Sequence, residues 1–130
     1  MQRLSSRHVD VVVFPAVVGL TLATAYLHYW VGGTMLMLNA AGYVTLTILV
    51  TGSALFFRRG LPLLLAALAG YAAVTIVAWL LTGPYFDVAY LAKGIEIVLI
   101  SIIAVRLWLT RAELLDSFRW GLSILSRTTR

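Results

Sequence analysis

The sequence predicts an all-α integral membrane protein, a bundle of four transmembrane helices followed by an amphipathic interfacial helix. Three observations carry the prediction. Hydrophobic residues fill 62% of the 130 positions and charged residues only 12%, with a mean hydropathy of +0.97. That leaves too few polar side chains to cover the outside of a soluble fold. Apolar runs recur four times at about bilayer length, since a hydrocarbon core of ~30 Å takes roughly 20 helical residues to cross. The basic residues, finally, concentrate in alternate connections, the pattern that orients a chain in a membrane. Four crossings with short connections occupy 1–110 and leave 111–130 as a tail, with no length for a second domain.

Helix one is expected over 9–28. Arg3 and Arg7, the run from Val11 to Leu22 and Ala23-Thr24-Ala25 imitate a secretory signal, but the stretch reads as the first membrane helix. Pro15 lies in its early turns, where a missing N–H either marks the start of regular helix or bends it. Tyr26, Tyr29 and Trp30 crowd its far end, as amphipathic rings do at headgroup depth. Gly32-Gly33 then turns the chain. Helix two follows over 35–57 and stops at Arg58-Arg59-Gly60.

Helix three is expected over 61–81, with Pro62 near its first position, where its absent N–H costs nothing, and Thr82-Gly83-Pro84 as its stop. Helix four is expected over 88–109, with Asp87 as N-cap. In the tail, Leu114, Leu115, Phe118, Leu122 and Leu125 share one helical arc, with Glu113, Asp116, Arg119, Ser123 and Arg127 away from it. Trp120 and Ile124 fall off that stripe. The pattern fits a helix lying along a membrane surface.

Orientation follows from counting Lys and Arg in the short loops. Arg3, Arg7, Arg58, Arg59, Arg106, Arg111, Arg119, Arg127 and Arg130 fall on one side of a four-pass chain, and Lys93 alone belongs to the other half. Both termini are therefore expected in the cytoplasm of a prokaryotic cell, with the chain in its cytoplasmic membrane. The net charge of +5 reflects this bias rather than nucleic-acid binding, because no basic stripe is interleaved with aromatics. With no cysteine, thiol chemistry is excluded.

Lipid tails are as apolar as leucine, so helix association in a membrane rests on close backbone approach and interhelical hydrogen bonds. Gly42 and Gly52 of helix two, with Asn39 and Thr45, and Ala66, Gly70, Ala69 and Ala73 of helix three form the expected packing seams. The unusual feature is Lys93 with Glu96 inside helix four. Three residues apart, they can pair on one face, and Glu96 falls about 13 Å along the axis from Asp87, close to mid-bilayer. A charge there costs at least ~2.5 to 3.5 kcal/mol, so it needs a partner and a protein or water environment. A structural ion pair, with the Lys93 stem reaching to the outer interface, is the plainest account. A docking contact to another subunit and an ion- or proton-transport site are the functional ones.

Arg106, one turn from the cytoplasmic edge, is expected to anchor in headgroups. His8 and His28 lie about 30 Å apart along helix one and cannot share one iron. His28 beside Tyr29 and Trp30 invites a chlorin, haem or quinone, but reads as an interfacial polar residue, and no cofactor is expected. Asn39 and Asp87 are further candidate ligand or interface positions. No HExxH, phosphate loop, metal-ligand cluster or nucleophile–base set is present, so neither catalysis nor a metal site is expected.

Leu27-His28-Tyr29, then Leu38-Asn39-Ala40-Ala41-Gly42-Tyr43, then Tyr90-Leu91-Ala92-Lys93-Gly94-Ile95-Glu96 resemble a group of small four-helix membrane proteins of haloarchaea and filamentous phototrophic bacteria. The resemblance covers roughly 20–110, implies the four-helix fold and carries no known activity. The leading expectation is an accessory subunit or assembly factor of a larger bioenergetic or photosynthetic membrane complex, with lipids and other membrane subunits or copies of itself as partners. Small size, the absent catalytic set and a polar pair available for docking motivate it. The alternative is an oligomeric ion- or proton-coupled small transporter or channel using Glu96 and Lys93.

Overall fold

The computed structural model describes the backbone of residues 2–83 and 85–128 and the side chains of 10–83 and 85–126. Five α-helices follow one another: α1 (Gln2–Val31), α2 (Thr34–Phe56), α3 (Leu61–Thr82), α4 (Asp87–Leu109) and α5 (Arg111–Thr128), with one 3-10 turn at Arg58–Gly60. No strand occurs among the described residues. Four segments are long and apolar enough to cross a membrane: 10–31, 34–56, 58–82 and 87–109. An α-helix satisfies every backbone group within itself, and lipid demands this of any crossing segment.

The connections are tight because glycine makes them. Gly32 and Gly33 take φ of 79° and 88°, and Gly83, after α3, takes 46°, a region closed to most L side chains. Pro62 sits in the first turn of α3. Two expectations need correction. α1 runs through Pro15 and begins well before Val9. Asp87 is not an N-cap: Phe86 holds that position in extended backbone, and Asp87 is the first helical residue, where its charge still suits the helix dipole. Pro84, Arg130 and the side chains of Arg3, Arg7, His8 and Arg127 lie outside the described residues.

Each of α1 to α4 packs along its two neighbours around a square. The buried positions explain the geometry. α1 buries Val17, Thr21, Thr24 and His28, and α2 buries Tyr43, Thr47 and Val50. α3 contributes Leu61, Leu65, Leu68, Ala72 and Thr75, and α4 contributes Glu96, Leu99, Ile103, Arg106 and Thr110. These stripes step by alternating threes and fours, the seam of a left-handed antiparallel bundle.

The expected glycine and alanine seams are largely displaced by this stripe. A Cβ added at Gly52 or Gly70 would meet nothing within 4 Å, and Gly70 and Ala73 are exposed, with Ala66 only half-buried. Gly42 alone is a close approach, where an added Cβ would collide with the Tyr71 hydroxyl and ring. Thr45 is exposed and bonds its own helix at the Ala41 carbonyl. The physical reason is that the buried stripe of α3 carries leucines, which fill the square from the side opposite the small residues.

α4 ends where Thr110 turns its hydroxyl back onto the Arg106 carbonyl at 2.9 Å, a side-chain bond that competes with helix continuation. α5 then folds against the start of α3 and the 3-10 turn. Ser117 holds it there by donating to the Arg59 carbonyl, and Gly121 lies against Leu63.

Candidate functional site

The seam is sorted by chemistry along its length. Near the Val31/Thr34 end, the buried residues that carry polar groups are His28, Thr24, Tyr43, Thr75, Lys93 and Glu96, with Ala25, Ala40 and Ala92 buried beside them. Counting 1.5 Å per residue from each helix end, Thr24, Tyr43, Thr75 and Glu96 all fall about 10 to 14 Å deep. Four helices thus deliver one polar group each to a single layer. Beyond it come Val17, Val50, Leu65, Leu68, Leu99 and Ile103, a mainly apolar plug in which the buried Thr21 and Thr47 hydroxyls donate to carbonyls of their own helices. A second polar layer closes the arginine end.

Glu96 is the centre of the first layer and is 0% exposed. Lys93 Nζ lies 2.7 Å from its Oε2, and Thr75 donates to the same oxygen at 2.9 Å. Thr24 donates to Oε1 at 3.2 Å. Lys93 also reaches Thr75 Oγ1 at 3.3 Å. Thr75 Oγ1 lies equally close to its own helix's Ala72 carbonyl, at 2.9 Å, and the Tyr43 hydroxyl shares a hydrogen bond with it at 3.0 Å. Side chains from α1, α3 and α4 thus converge on the two Glu96 oxygens.

His28 completes the layer. Its Nδ1 lies 2.8 Å from the Thr24 carbonyl, and a carbonyl only accepts, so Nδ1 carries a proton. Nε2 is then turned to Glu96 Oε1 at 3.6 Å. Lys93 from α4, Tyr43 from α2 and, behind Tyr43 at a ring-centroid distance of 4.9 Å, Tyr71 from α3 are the other titratable groups around it. His28 is thus 4% exposed, not the interfacial residue expected from its aromatic neighbours.

A cavity of about 260 Å³ leads to this layer from between the two connections at that end. All four helices line it. Lys93, His28, Asn39, Thr75 and Thr82 contribute its polar groups, and Trp79 and Phe86 are among its aromatic and aliphatic walls. Asn39 accepts from the Tyr71 hydroxyl at 3.3 Å through Oδ1, the interhelical bond expected of it. Lys93 is 7% exposed and folds back onto Glu96 rather than reaching for the interface. The Lys93–Glu96 pair is buried and bonded within the chain.

The arginine end is organised by Arg106, which is 2% exposed and so does not anchor in headgroups. Its guanidinium meets Asp10 Oδ1 at 3.1 Å, Thr110 Oγ1 at 3.2 Å and Glu113 Oε2 at 3.8 Å. One side chain ties α1, α4 and α5 together. A planar fork with five donors suits this bridging better than a solvated tip. The Asp10–Arg106 pairing is not visible in the sequence, because 96 residues separate the two.

Asp87 opens α4 and does not line the cavity. Among the described residues no three His, Asp or Glu side chains converge as a metal site requires. Both ring nitrogens of His28 face protein, so an axial bond to iron or a chlorin metal would first break its contact with Thr24 or Glu96. Thr24, Tyr43 and Thr75 were not anticipated as site residues. The signal that finds them is depth: hydroxyls on three helices at the level of Glu96, each on a buried three-four stripe. No protein-family model matches this chain, and comparison with curated proteins and with solved structures returns no match.

Proposed function

We propose that this chain is a multi-pass protein of the prokaryotic cytoplasmic membrane that binds a solute in the four-helix vestibule and couples binding to proton exchange between His28 and Glu96. It belongs by this reading to the ion-coupled carriers. The observation that carries it is the His28–Glu96 edge, 3.6 Å across with Nδ1 already committed to Thr24, behind a cavity that His28 and Lys93 line.

Magnitudes favour this over a structural ion pair. A charge at mid-membrane costs at least ~2.5 to 3.5 kcal/mol, whereas interhelical hydrogen bonds contribute about 0.6 to 2 kcal/mol. A layer needed only for cohesion is served as well by hydroxyls or apolar packing. Three ionisable groups beside a cavity fit a proton-handling site instead. The apolar plug of Leu68, Leu99 and Ile103 separates the vestibule from the polar layer at the arginine end, so passage requires those helices to part there, as alternating access demands.

Orientation rests on charge. With both termini in the cytoplasm, the arginine-rich connections lie inside and the vestibule opens outward. α5 then lies on the inner leaflet. Its exposed Leu115, Phe118, Leu122 and Leu125 point away from the bundle, as an interfacial helix requires. The likeness to small haloarchaeal and phototroph membrane proteins agrees with this architecture and adds no activity.

The reading is tested by proton uptake into proteoliposomes under an inward proton gradient. Uptake is expected with the wild-type chain and lost with Glu96→Gln; undiminished uptake in the variant removes Glu96 from any transport role. An accessory-subunit role in a larger bioenergetic or photosynthetic complex would have to use the apolar exterior, since the polar pair is enclosed. Migration with a partner band on mild native gels would favour it.

A further inference from the structure

The groove at the arginine end lies apart from the vestibule and is lined by six charges, three of each sign. They are Asp10 of α1, Arg106 of α4, Glu113 and Asp116 of α5, and Arg58 and Arg59 of the 3-10 turn. Three of the six answer one another, because the Arg106 guanidinium meets Asp10 at 3.1 Å and Glu113 at 3.8 Å. The other three do not. Among the described residues Arg58 donates to the Ala54 carbonyl at 3.5 Å, and neither it, Arg59 nor Asp116 forms an ion pair. Two guanidinium groups on the turn and a carboxylate on α5 are left to whatever occupies the groove.

Position and charge select that occupant. The 3-10 turn joins two of the segments long enough to cross a membrane, 34–56 and 58–82, and Arg106 lies in the last turn of a third. The groove therefore opens at the depth of lipid headgroups, on whichever side of the membrane the arginines lie. Phe56, Phe57, Leu115 and Phe118, next to these charges in the chain, are exposed and offer acyl chains an apolar surface.

Arginine pairs with phosphate through parallel N–H bonds, and basic pockets at membrane faces take phosphate heads. Asp116 adds a second requirement, a cation beyond the phosphate. The lining charges already sum to zero, so a head with one charge of each sign keeps the balance and an anionic head upsets it. A primary ammonium brings Asp116 three donors, whereas a trimethylated one brings none. At about 660 Å³ the groove far exceeds the ~30 Å³ share of one water, so it has room for a whole head.

We infer that this groove binds a phosphodiester head bearing a primary ammonium, as in an ethanolamine phospholipid. Arg58 and Arg59 hold the phosphate and Asp116 holds the ammonium. No covalent bond changes and no proton moves. The head bridges the 3-10 turn to α5, beside the bond from Ser117 to the Arg59 carbonyl. His28 and Glu96 take no part, so the inference stands apart from the carrier reading. The same chemistry could arrive as a membrane lipid or as free glycerophosphoethanolamine from water.

Native mass spectrometry of the full chain released from detergent tests this. The probes are ethanolamine, choline and glycerol phospholipids with identical dioleoyl chains, and glycerophosphoethanolamine as the tail-free head. One ethanolamine lipid per chain is expected to bind about tenfold more tightly than the choline lipid and severalfold more tightly than the glycerol one. Arg58→Gln/Arg59→Gln should weaken it about tenfold or more. Both side chains are exposed and the Arg59 carbonyl survives, so the melting midpoint should hold; if it drops, Asp116→Asn carries the test. Asp116→Asn should weaken the ethanolamine lipid severalfold without weakening the glycerol lipid. Arg119→Gln, which removes a charge of α5 outside the groove, should change neither.

Displacement of the lipid by millimolar glycerophosphoethanolamine assigns the water-borne source, and persistence of the lipid assigns the membrane-borne one. Equal or tighter binding of the glycerol or choline lipid, no loss with Asp116→Asn, or undiminished binding in a folded arginine variant overturns the inference.

Discussion

Glu96 is held by more donors than any other group in the bundle, and the consequences are measurable. Lys93→Met leaves that carboxylate buried without its cation and should cost about 3 to 5 kcal/mol, read as a lowered denaturation midpoint in micelles. Adding Glu96→Gln to the same chain should recover most of the loss, because the unpaired charge rather than the missing contact sets the cost. Gly42→Ala should lose about 1 to 3 kcal/mol by overpacking against Tyr71, and Tyr71→Leu in the same chain should relieve it. The Lys93–Glu96 pair was legible from spacing alone. His28 was misread because Tyr29 and Trp30 signal an interface, and only the rotation of α1 reveals that His28 faces the seam while Tyr29 and Trp30 are exposed.

At the scale of elements, the four apolar helices follow from run length and glycine punctuation, but the faces they bury do not. All-apolar helices have no amphipathic stripe to read, so small residues at Gly52 and Gly70 were taken for seams that Leu61, Leu65, Leu68, Ala72 and Thr75 form instead. The polar residues were the better guide: Thr24, His28, Thr75, Glu96 and Arg106 all lie on buried stripes. Besides its packing on α3 and the 3-10 turn, α5 is held by two side-chain contacts, Ser117 to the Arg59 carbonyl and Glu113 to Arg106. Ser117→Ala removes a bond of about 0.5 to 1.5 kcal/mol and should speed amide exchange across 111–126 roughly two- to tenfold. Arg106→Gln should do so more strongly while also loosening the start of the first crossing at Asp10.

The whole molecule is two polar layers separated by an apolar plug, and its sidedness is a separate prediction. The chain has no cysteine, so single cysteines report position cleanly. In intact cells an impermeant maleimide should label Tyr85→Cys, beside the vestibule mouth, and should reach Ser123→Cys on α5 only after lysis. The reverse pattern would invert the bundle and open the vestibule to the cytoplasm.

The most direct measurement is ¹⁵N NMR of the His28 ring in a His8→Gln background in nanodiscs. Nδ1 should carry a proton throughout the titration, and Nε2 should exchange one in a step that moves or disappears in Glu96→Gln. A His28 ring whose Nδ1 is bare, or whose titration is the same with and without the Glu96 carboxylate, would contradict the account.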